Sequence, residues 1–424
     1  MRIAFFSPHC DPLAATGEPD AGGQCVYEAQ VALELAAMGH EVRVFNRQWG
    51  DKPAYRKLAE NAEIFRYPMG QTGFLRKEDM GPYLAEFASN VLAEQGAWLS
   101  DADLCHGHYW DGGATALIAA VSLGKPLVFT SHSLGLLKRD QIPDGTVDGS
   151  RFRYDLRIRA ERKILDAADK VIALSSNEKT ALAKRYQTVS DKIAVVPGGV
   201  DIDNFEACSD KRALQRQLGF DSDFLLFTAG RLDPRKGFLE LLDAIPIVLK
   251  RLQAAGKSVI FCLPAGPQQP DAEERIYRDA LQDRALQLGL TKAIHWFNRL
   301  DDDTLKRYYQ AADLFLCPSH YEPFGLVLVE AFASGTPVIA TCHGGPVDIV
   351  TPGVEGYLAD PMNPDEFAGR IIDVLLAPET EIHAMREAAL NKARSCYSWP
   401  AVAAAIANVY RITSEHSRAN KVRA

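Results

Sequence analysis

The chain has 424 residues, of which 47% are hydrophobic and 24% charged, with a formal net charge of −8. The length exceeds one ordinary core and suits two α/β domains of about 200 residues each, and the composition excludes disordered and collagen-like classes. The acidic balance argues against a general nucleic-acid or anionic-membrane surface, and no stretch approaches the ~20 apolar residues of a membrane span.

The N-terminal MRIAFFSPH runs straight into a strand pattern and lacks a signal-peptide apolar region. The strands of the first half are predicted at 2–7, 41–46, 103–105, 126–131, 170–174 and 192–196, with amphipathic helices between most of them. In the helix after the first strand, Val26, Ala29, Leu33 and Ala36 recur at helical spacing. Residues 197–220 interrupt this pattern with a Pro-Gly-Gly turn and a charged stretch that reads as a linker. The alternation restarts at 223–229, 257–264, 293–297, 313–317 and 337–341, and a helical stretch at 399–414 follows the second sheet. The eight cysteines, Cys10, Cys25, Cys105, Cys208, Cys262, Cys317, Cys342 and Cys396, form no C-x-x-C pair. They read as buried reduced thiols of a cytoplasmic protein.

These patterns predict an α/β fold of two Rossmann-like domains facing a cleft. The expected divisions are 1–205, 206–397 and a C-terminal helix at 398–424 that packs back on the first domain. Open α/β sheets bind ligands at the C-terminal edges of their strands, and a two-domain cleft suits a two-substrate reaction that must exclude water.

Five motifs carry the chemistry. In the run from Glu322 to Glu330, two glutamates flank Phe324, Gly325, Leu326 and further apolar residues, where a helix should open with free N–H groups. Eight residues of helix would span ~12 Å, too far for a glycosidase carboxylate pair, so the two glutamates have different tasks. The alternative is a helix with one solvated glutamate. Arg231 and Lys236, after the first strand of the second half, suit a diphosphate; the alternative is an exposed turn. Gly22, Gly23 and Gln24 follow Asp20 at the start of the first long helix, where an anion is favoured. Neither a G-x-G-x-x-G fingerprint nor a P-loop lysine is present, which demotes nicotinamide and ATP chemistry. His132, at a strand end with Ser133, is placed to donate to a sugar hydroxyl, or is a core or loop histidine. Near it in pattern, His106 and His108 suggest a metal but lack a third ligand at convincing spacing. Asp301 to Asp303 lead into a helix, so capping explains them better than a metal does.

A further basic set, Lys77, Lys138, Arg153, Arg157 and Arg159, is either a phosphate site for the acceptor or a solvated face. The E-x7-E element closely resembles that of the retaining GT-B glycosyltransferases. The resemblance implies that Glu322 faces the donor hexose and Glu330 the ribose hydroxyls. It also implies that backbone around Phe324, Gly325 and Leu326 holds sugar or phosphate, that Arg231 and Lys236 neutralise the leaving diphosphate, and that His132 lies against the donor sugar. The stretches Asp-x-Gly-Gly-Gln, Gly-His-Tyr-x-Asp, His-Ser-Leu-Gly and Gly-Arg-Leu-Asp-Pro-Arg-Lys-Gly resemble the sucrose-phosphate synthase branch over most of the chain. That match implies an acceptor site for fructose 6-phosphate built from Gln24, Lys77, Tyr109, Ser133, Lys138 and Arg157, with Arg159 beside them. The implied donor is a nucleoside-diphosphate glucose such as UDP-glucose, with no cofactor and no metal. The chain carries no phosphatase-like D-x-D-x-[TV] motif, so a separate phosphatase is the expected downstream partner. Competing readings are a mycothiol-type transferase with an inositol-phosphate acceptor, a sucrose synthase using free fructose, and a catalytically silent sugar-nucleotide sensor.

Overall fold

The structure, a computed structural model, describes residues 1–14, 22–140, 152–270 and 272–423. Asp20, part of the glycine motif above, lies outside the described residues. The chain divides into two compact units, Met1–Gly198 with Trp399–Ala424, and Gly199–Ser398.

The first unit is built on an eight-stranded sheet. Its strands are β1 (Arg2–Phe6), β2 (Glu41–Arg47), β3 (Tyr55–Ala59), β4 (Ala62–Tyr67), β5 (Leu104–His108), β6 (Leu127–Thr130), β7 (Lys170–Ala173) and β8 (Ile193–Val195). The spatial order is β3-β4-β2-β1-β5-β6-β7-β8. All neighbours are parallel except β3, which runs antiparallel to β4. The central strands are short apolar runs because helices cover both faces of a parallel sheet. The strands at β3 and β4 were not anticipated, since YRKLA is a polar edge and AEIFRY alternates rather than forming an apolar run. The strand order reverses between β1 and β5, so the ends of β1, β5 and β6 border the crevice where such sheets bind ligands. Helix Tyr109–Leu123 packs tightly there: a Cβ on Gly112 would stand 2.2 Å from the Phe6 carbonyl oxygen. Phe6, Phe45, Phe87 and Phe129 form part of the core, each contributing about 1.5–3 kcal/mol by burial. Helix Trp399–Arg423 belongs to this unit: the Tyr410 hydroxyl lies 2.6 Å from His106 Nδ1, and Trp399 meets Tyr27 edge-on at 5.8 Å.

The second unit holds β9 (Phe224–Phe227), β10 (Val259–Pro264), β11 (Ile294–Phe297), β12 (Leu314–Cys317), β13 (Val338–Thr341) and β14 (Gly356–Ala359). All are parallel, in the order β11-β10-β9-β12-β13-β14, and the order reverses between β9 and β12. β14, GYLA, is too short and too weakly apolar to have been read as a strand. Leu241, Ile245, Val248, Phe261, Phe367 and Ile371 centre the core. The charged stretch read as a linker contains a helix, Lys211–Gln217, capped by Asp210, whose side chain accepts from the Ala213 N–H at 2.9 Å.

The expectation that all cysteines are reduced is corrected. Cys10 and Cys25 form a disulfide with a Cα–Cα separation of 5.6 Å. Their fifteen-residue spacing matches no motif; the fold brings the loop after β1 against the first turn of helix Gly23–Ala37. The remaining six are free.

Candidate active site

In the second unit, the switch point gathers two loops. β9 leads through Gly230 to Arg231 and a short 3-10 turn, Pro234–Lys236. Asp233 caps that turn by accepting from the Arg235 N–H and its side chain, both at 3.0 Å. Gly237 follows at φ 70°, and a Cβ there would stand 1.8 Å from the Pro318 carbonyl oxygen. That approach locks the β9 loop against the loop after β12. Across it, the Lys236 ammonium pairs with Glu322 Oε2 at 2.7 Å, and the Ser319 hydroxyl donates to the same oxygen at 3.4 Å. Glu322 itself is fixed by its backbone: its N–H donates to His343 O at 3.2 Å, and Gly345 N–H donates to its carbonyl at 2.7 Å. Arg231, by contrast, is exposed and makes no ion pair among the described residues. An unpaired guanidinium beside a paired lysine is an electropositive end for an anion.

Glu322 and Glu330 are not on one helix, which corrects the premise of the ~12 Å spacing. Gly325, at φ 110°, caps a helix that spans only Leu326–Ala333, with no side-chain cap on its first N–H groups. Phe324 is buried, and Leu326 opens the first turn. Glu330 lies further along that helix and accepts from the Tyr309 hydroxyl at 2.8 Å. Burial pushes the Glu330 carboxyl up to about 7. Tyr309, unremarkable in sequence, is a positioning partner that only the fold reveals. Asp301 caps helix Asp302–Ala311 as expected, accepting from Thr304 N–H at 2.8 Å.

In the first unit, two non-glycine residues at strand ends hold left-handed backbone: Tyr109 after β5 (φ 64°) and His132 after β6 (φ 52°). Such conformations are uncommon outside glycine and concentrate at functional sites. Arg157 gathers the expected acceptor residues. Its Nη1 donates to the Tyr109 hydroxyl at 2.6 Å, its Nη2 to the Ser133 hydroxyl at 3.1 Å and to the Ser133 carbonyl, and its Nε to Glu161 at 2.7 Å. The guanidinium also stacks 4.4 Å from the Tyr109 ring centroid. Lys138 Nζ lies 5.8 Å from that centroid. Burial raises the Tyr109 phenol above its ordinary value, while the positive charges of Arg157 and Lys77 oppose the rise. Arg157 and Lys138 therefore meet at the Tyr109 ring, and the charge of Lys77, which pairs with Glu78 at 3.7 Å, also acts on that phenol. Arg157 is only 5% exposed, so its fork is spent mainly on Tyr109 and Ser133. Arg159 is exposed on another face of the helix Tyr154–Ala167, and Arg153 pairs with Asp79 at 3.1 Å.

Gly22 and Gly23 open helix Gly23–Ala37, where no side chain caps the first turn. A Cβ on Gly22 would meet nothing within 4 Å, so internal packing does not demand glycine there. Gln24 turns inward, its amide donating to Glu28 Oε1 at 2.8 Å. His106 is spent on Tyr410 and Thr130. His108 instead joins His132 and Glu28, with ligand-type atoms of the three within 4.8 Å of one another. The third residue that local spacing failed to supply thus comes from a separate helix.

Residues 21–204 match the family described as Glycosyltransferase Family 4, and residues 210–392 match Glycosyl transferases group 1. D-inositol 3-phosphate glycosyltransferase 2 of Catenulispora acidiphila is 33% identical over 430 residues, covering 100% of this chain and 97% of that protein. Mannosylfructose-phosphate synthase of Agrobacterium fabrum is 30% identical over 415 residues, covering 95% and 89%. These matches and the two parallel-sheet units place the chain in the GT-B glycosyltransferases. Within that fold it is similar to the solved sucrose-phosphate synthase of Thermosynechococcus elongatus, with a TM-score of 0.84 and 28% identity across 97% of this chain and 98% of that one. Among the described residues, no helix is long and apolar enough to cross a membrane.

Proposed function

We propose that the protein is a cytoplasmic, retaining glucosyltransferase that moves glucose from a nucleoside-diphosphate glucose, UDP-glucose, to fructose 6-phosphate. The products are sucrose 6-phosphate and the nucleoside diphosphate, and a separate phosphatase then releases sucrose. The observation that supports the reading is the meeting of Lys138 and Arg157 at the Tyr109 ring, with the charge of Lys77 also acting on that phenol. In an acidic chain, such a set suits a dianionic phosphate on the acceptor. The names of the relatives support it: sucrose-phosphate, mannosylfructose-phosphate and inositol 3-phosphate each carry a phosphate.

In this reading Glu330 accepts from the ribose hydroxyls, and N–H groups at Gly325 and Leu326 and at Gly22 and Gly23 hold the sugar and phosphates of the donor. Glu322 faces the hexose. The anomeric carbon–oxygen bond to the diphosphate breaks as a bond to the fructose anomeric oxygen forms on the same face. The diphosphate oxygen takes the proton of the incoming hydroxyl. The protein supplies positioning and charge stabilisation, with Arg231 and Lys236 meeting the charge that grows on the leaving group. His132 donates to the donor sugar. Neither a metal nor a cofactor has a step.

The 33% identity to an inositol-phosphate transferase favours a second reading, in which the same cations hold an inositol phosphate. One panel decides: several nucleotide-glucose donors against fructose 6-phosphate, fructose and inositol 3-phosphate, reading nucleoside diphosphate release and the anomeric configuration. Turnover with fructose 6-phosphate alone is the expected result. Turnover only with inositol phosphate replaces the acceptor, turnover with free fructose removes the phosphate pocket, and no turnover with any pair indicates a sensor.

A further inference from the structure

One turn after Arg157, on the helix Tyr154–Ala167, stands the buried Glu161. Its carboxylate gathers donors from three places. Oε1 accepts from Arg157 Nε at 2.7 Å, and the Gly135 N–H reaches both oxygens, at 3.0 and 3.1 Å. Oε2 also accepts from the Tyr186 hydroxyl, which in turn accepts from the Leu136 N–H at 3.0 Å. Gly135 and Leu136 open the short helix Gly135–Arg139 that bears Lys138, where the first N–H groups have no partner within the helix. Glu161 supplies those partners, directly and through Tyr186. The fit leaves little room for a side chain at 135: a Cβ there would stand 3.1 Å from Arg157 Nε and from Glu161 Oε2.

The grip on Nε orients the rest of Arg157. A guanidinium is planar, so holding Nε sets where its two Nη groups lie. Nη1 donates to the Tyr109 hydroxyl at 2.6 Å and Nη2 to the Ser133 hydroxyl at 3.1 Å. Guanidinium N–H groups only donate, so each hydroxyl accepts in this contact and its own proton is turned elsewhere. Neither hydroxyl donates to a partner among the described residues. Two O–H donors are thereby presented together after β5 and β6. The buried salt bridge also offsets the charge of Arg157 one turn along its own helix. The guanidinium therefore acts on a ligand through the two hydroxyls more than through its charge.

We propose that Glu161 is a positioning residue of the acceptor site: by holding Arg157 Nε and the Gly135 N–H, it keeps the Tyr109 and Ser133 hydroxyls aimed as paired donors for an acceptor phosphate, beside Lys138. A phosphate oxygen accepts from such donors without a proton of its own to place, whereas each hydroxyl of a neutral sugar must also find an acceptor. The phosphate part of this inference rests on the proposed acceptor; the anchoring of the Arg157 fork does not.

The test uses the full-length enzyme. Glu161→Gln keeps the size of the side chain and makes the site more positive, so a site governed by charge would bind phosphate more tightly. Loss of the grip gives the opposite: a fructose 6-phosphate KM about tenfold higher or more, with kcat and donor KM within about threefold of wild type. Tyr109→Phe leaves the ion pair in place and should raise the same KM. Combined, the two substitutions should fall short of the product of their single effects by about threefold or more, because both act through one hydroxyl. A crystal structure of Glu161→Gln without substrates should show the guanidinium off the Tyr109 hydroxyl. Where the stranded Arg157 lowers the melting temperature, Glu161→Gln combined with Arg157→Met removes both charges, and the melting temperature should recover while the KM stays raised. An unchanged or lower fructose 6-phosphate KM in Glu161→Gln, a fork still on both hydroxyls, fully multiplicative effects, or a KM that recovers with the melting temperature overturns the proposal. A wild type that turns over no phosphorylated acceptor refutes the acceptor reading instead, and the crystal structure then decides the anchoring by itself.

Discussion

At the scale of single residues, the second unit presents two cations in different states. Lys236 is held by Glu322 at 2.7 Å, whereas Arg231 is exposed and unpaired among the described residues. Charge on a departing diphosphate grows toward the transition state, so both should matter more there than in the ground state. Arg231→Ala and Lys236→Ala are each expected to lower kcat by more than they raise donor KM, read from steady-state kinetics. Lys236→Ala also strands Glu322, so it should be the worse of the two. Glu330 carries a pH signature. Its carboxyl, pushed up to about 7 by burial, is mostly protonated at about pH 6 and mostly ionised at about pH 8. The ionised form is the stronger acceptor for ribose hydroxyls, so affinity for the nucleotide sugar should rise with pH across this range. The sugar-linked diphosphate does not titrate there, and Glu330→Gln should flatten the dependence in calorimetry. Arg157 works mainly through its neighbours. Arg157→Lys loses the fork that holds Tyr109 and Ser133, so acceptor KM should rise about tenfold or more while donor affinity stays.

At the scale of elements, two loops are pinned by means that a strand or helix pattern does not contain. The disulfide Cys10–Cys25 closes the segment that carries Gly22, Gly23 and Gln24 onto the end of β1. Closing a loop of this length stabilises by about 3 kcal/mol in the chain-entropy account. Cys25→Ser is therefore expected to shift the denaturation midpoint of the first unit downward, and adding reductant should do the same to the wild type alone. The β9 loop of the second unit depends on Gly237, whose φ is 70° and whose missing side chain leaves room for Pro318.

At the scale of the whole molecule, the chain's last helix completes the unit formed by its beginning. Val402, Ile406, Val409 and Tyr410 are buried, and the Tyr410 hydroxyl meets His106, itself fully buried. Tyr410→Phe leaves that imidazole short of a partner and should destabilise by about 1–3 kcal/mol, measured by chemical denaturation. Most parallel strands were legible because a strand covered on both faces must be apolar, as RIAFF and LFLC are. The polar edge β3, the alternating β4 and the short β14 were not, because their strand character comes from pairing with neighbours.

The candidate site divides along the same line. Glu322, Arg231, Lys236, His132 and Tyr109 stood out in the sequence because each sits near a predicted strand end or helix start, where open α/β sheets meet their ligands, while Glu330 and Arg157 stood out on predicted helices and through the resemblance. Local periodicity and turn chemistry act over a few residues, so they locate such ends reliably. What they do not carry is which side chains from distant segments meet. The Lys236–Glu322 pair, the Tyr309 bond to Glu330, the Cys10–Cys25 bridge and the gathering of Glu28, His108 and His132 within 4.8 Å each join segments whose approach depends on strand order and helix packing. The sequence by itself determined the two-sheet plan and the strand and helix ends at which the candidate residues sit. Tertiary structure alone decided the partners, and with them which groups are charged, neutral or bridged, because those states follow from burial and proximity rather than from order along the chain.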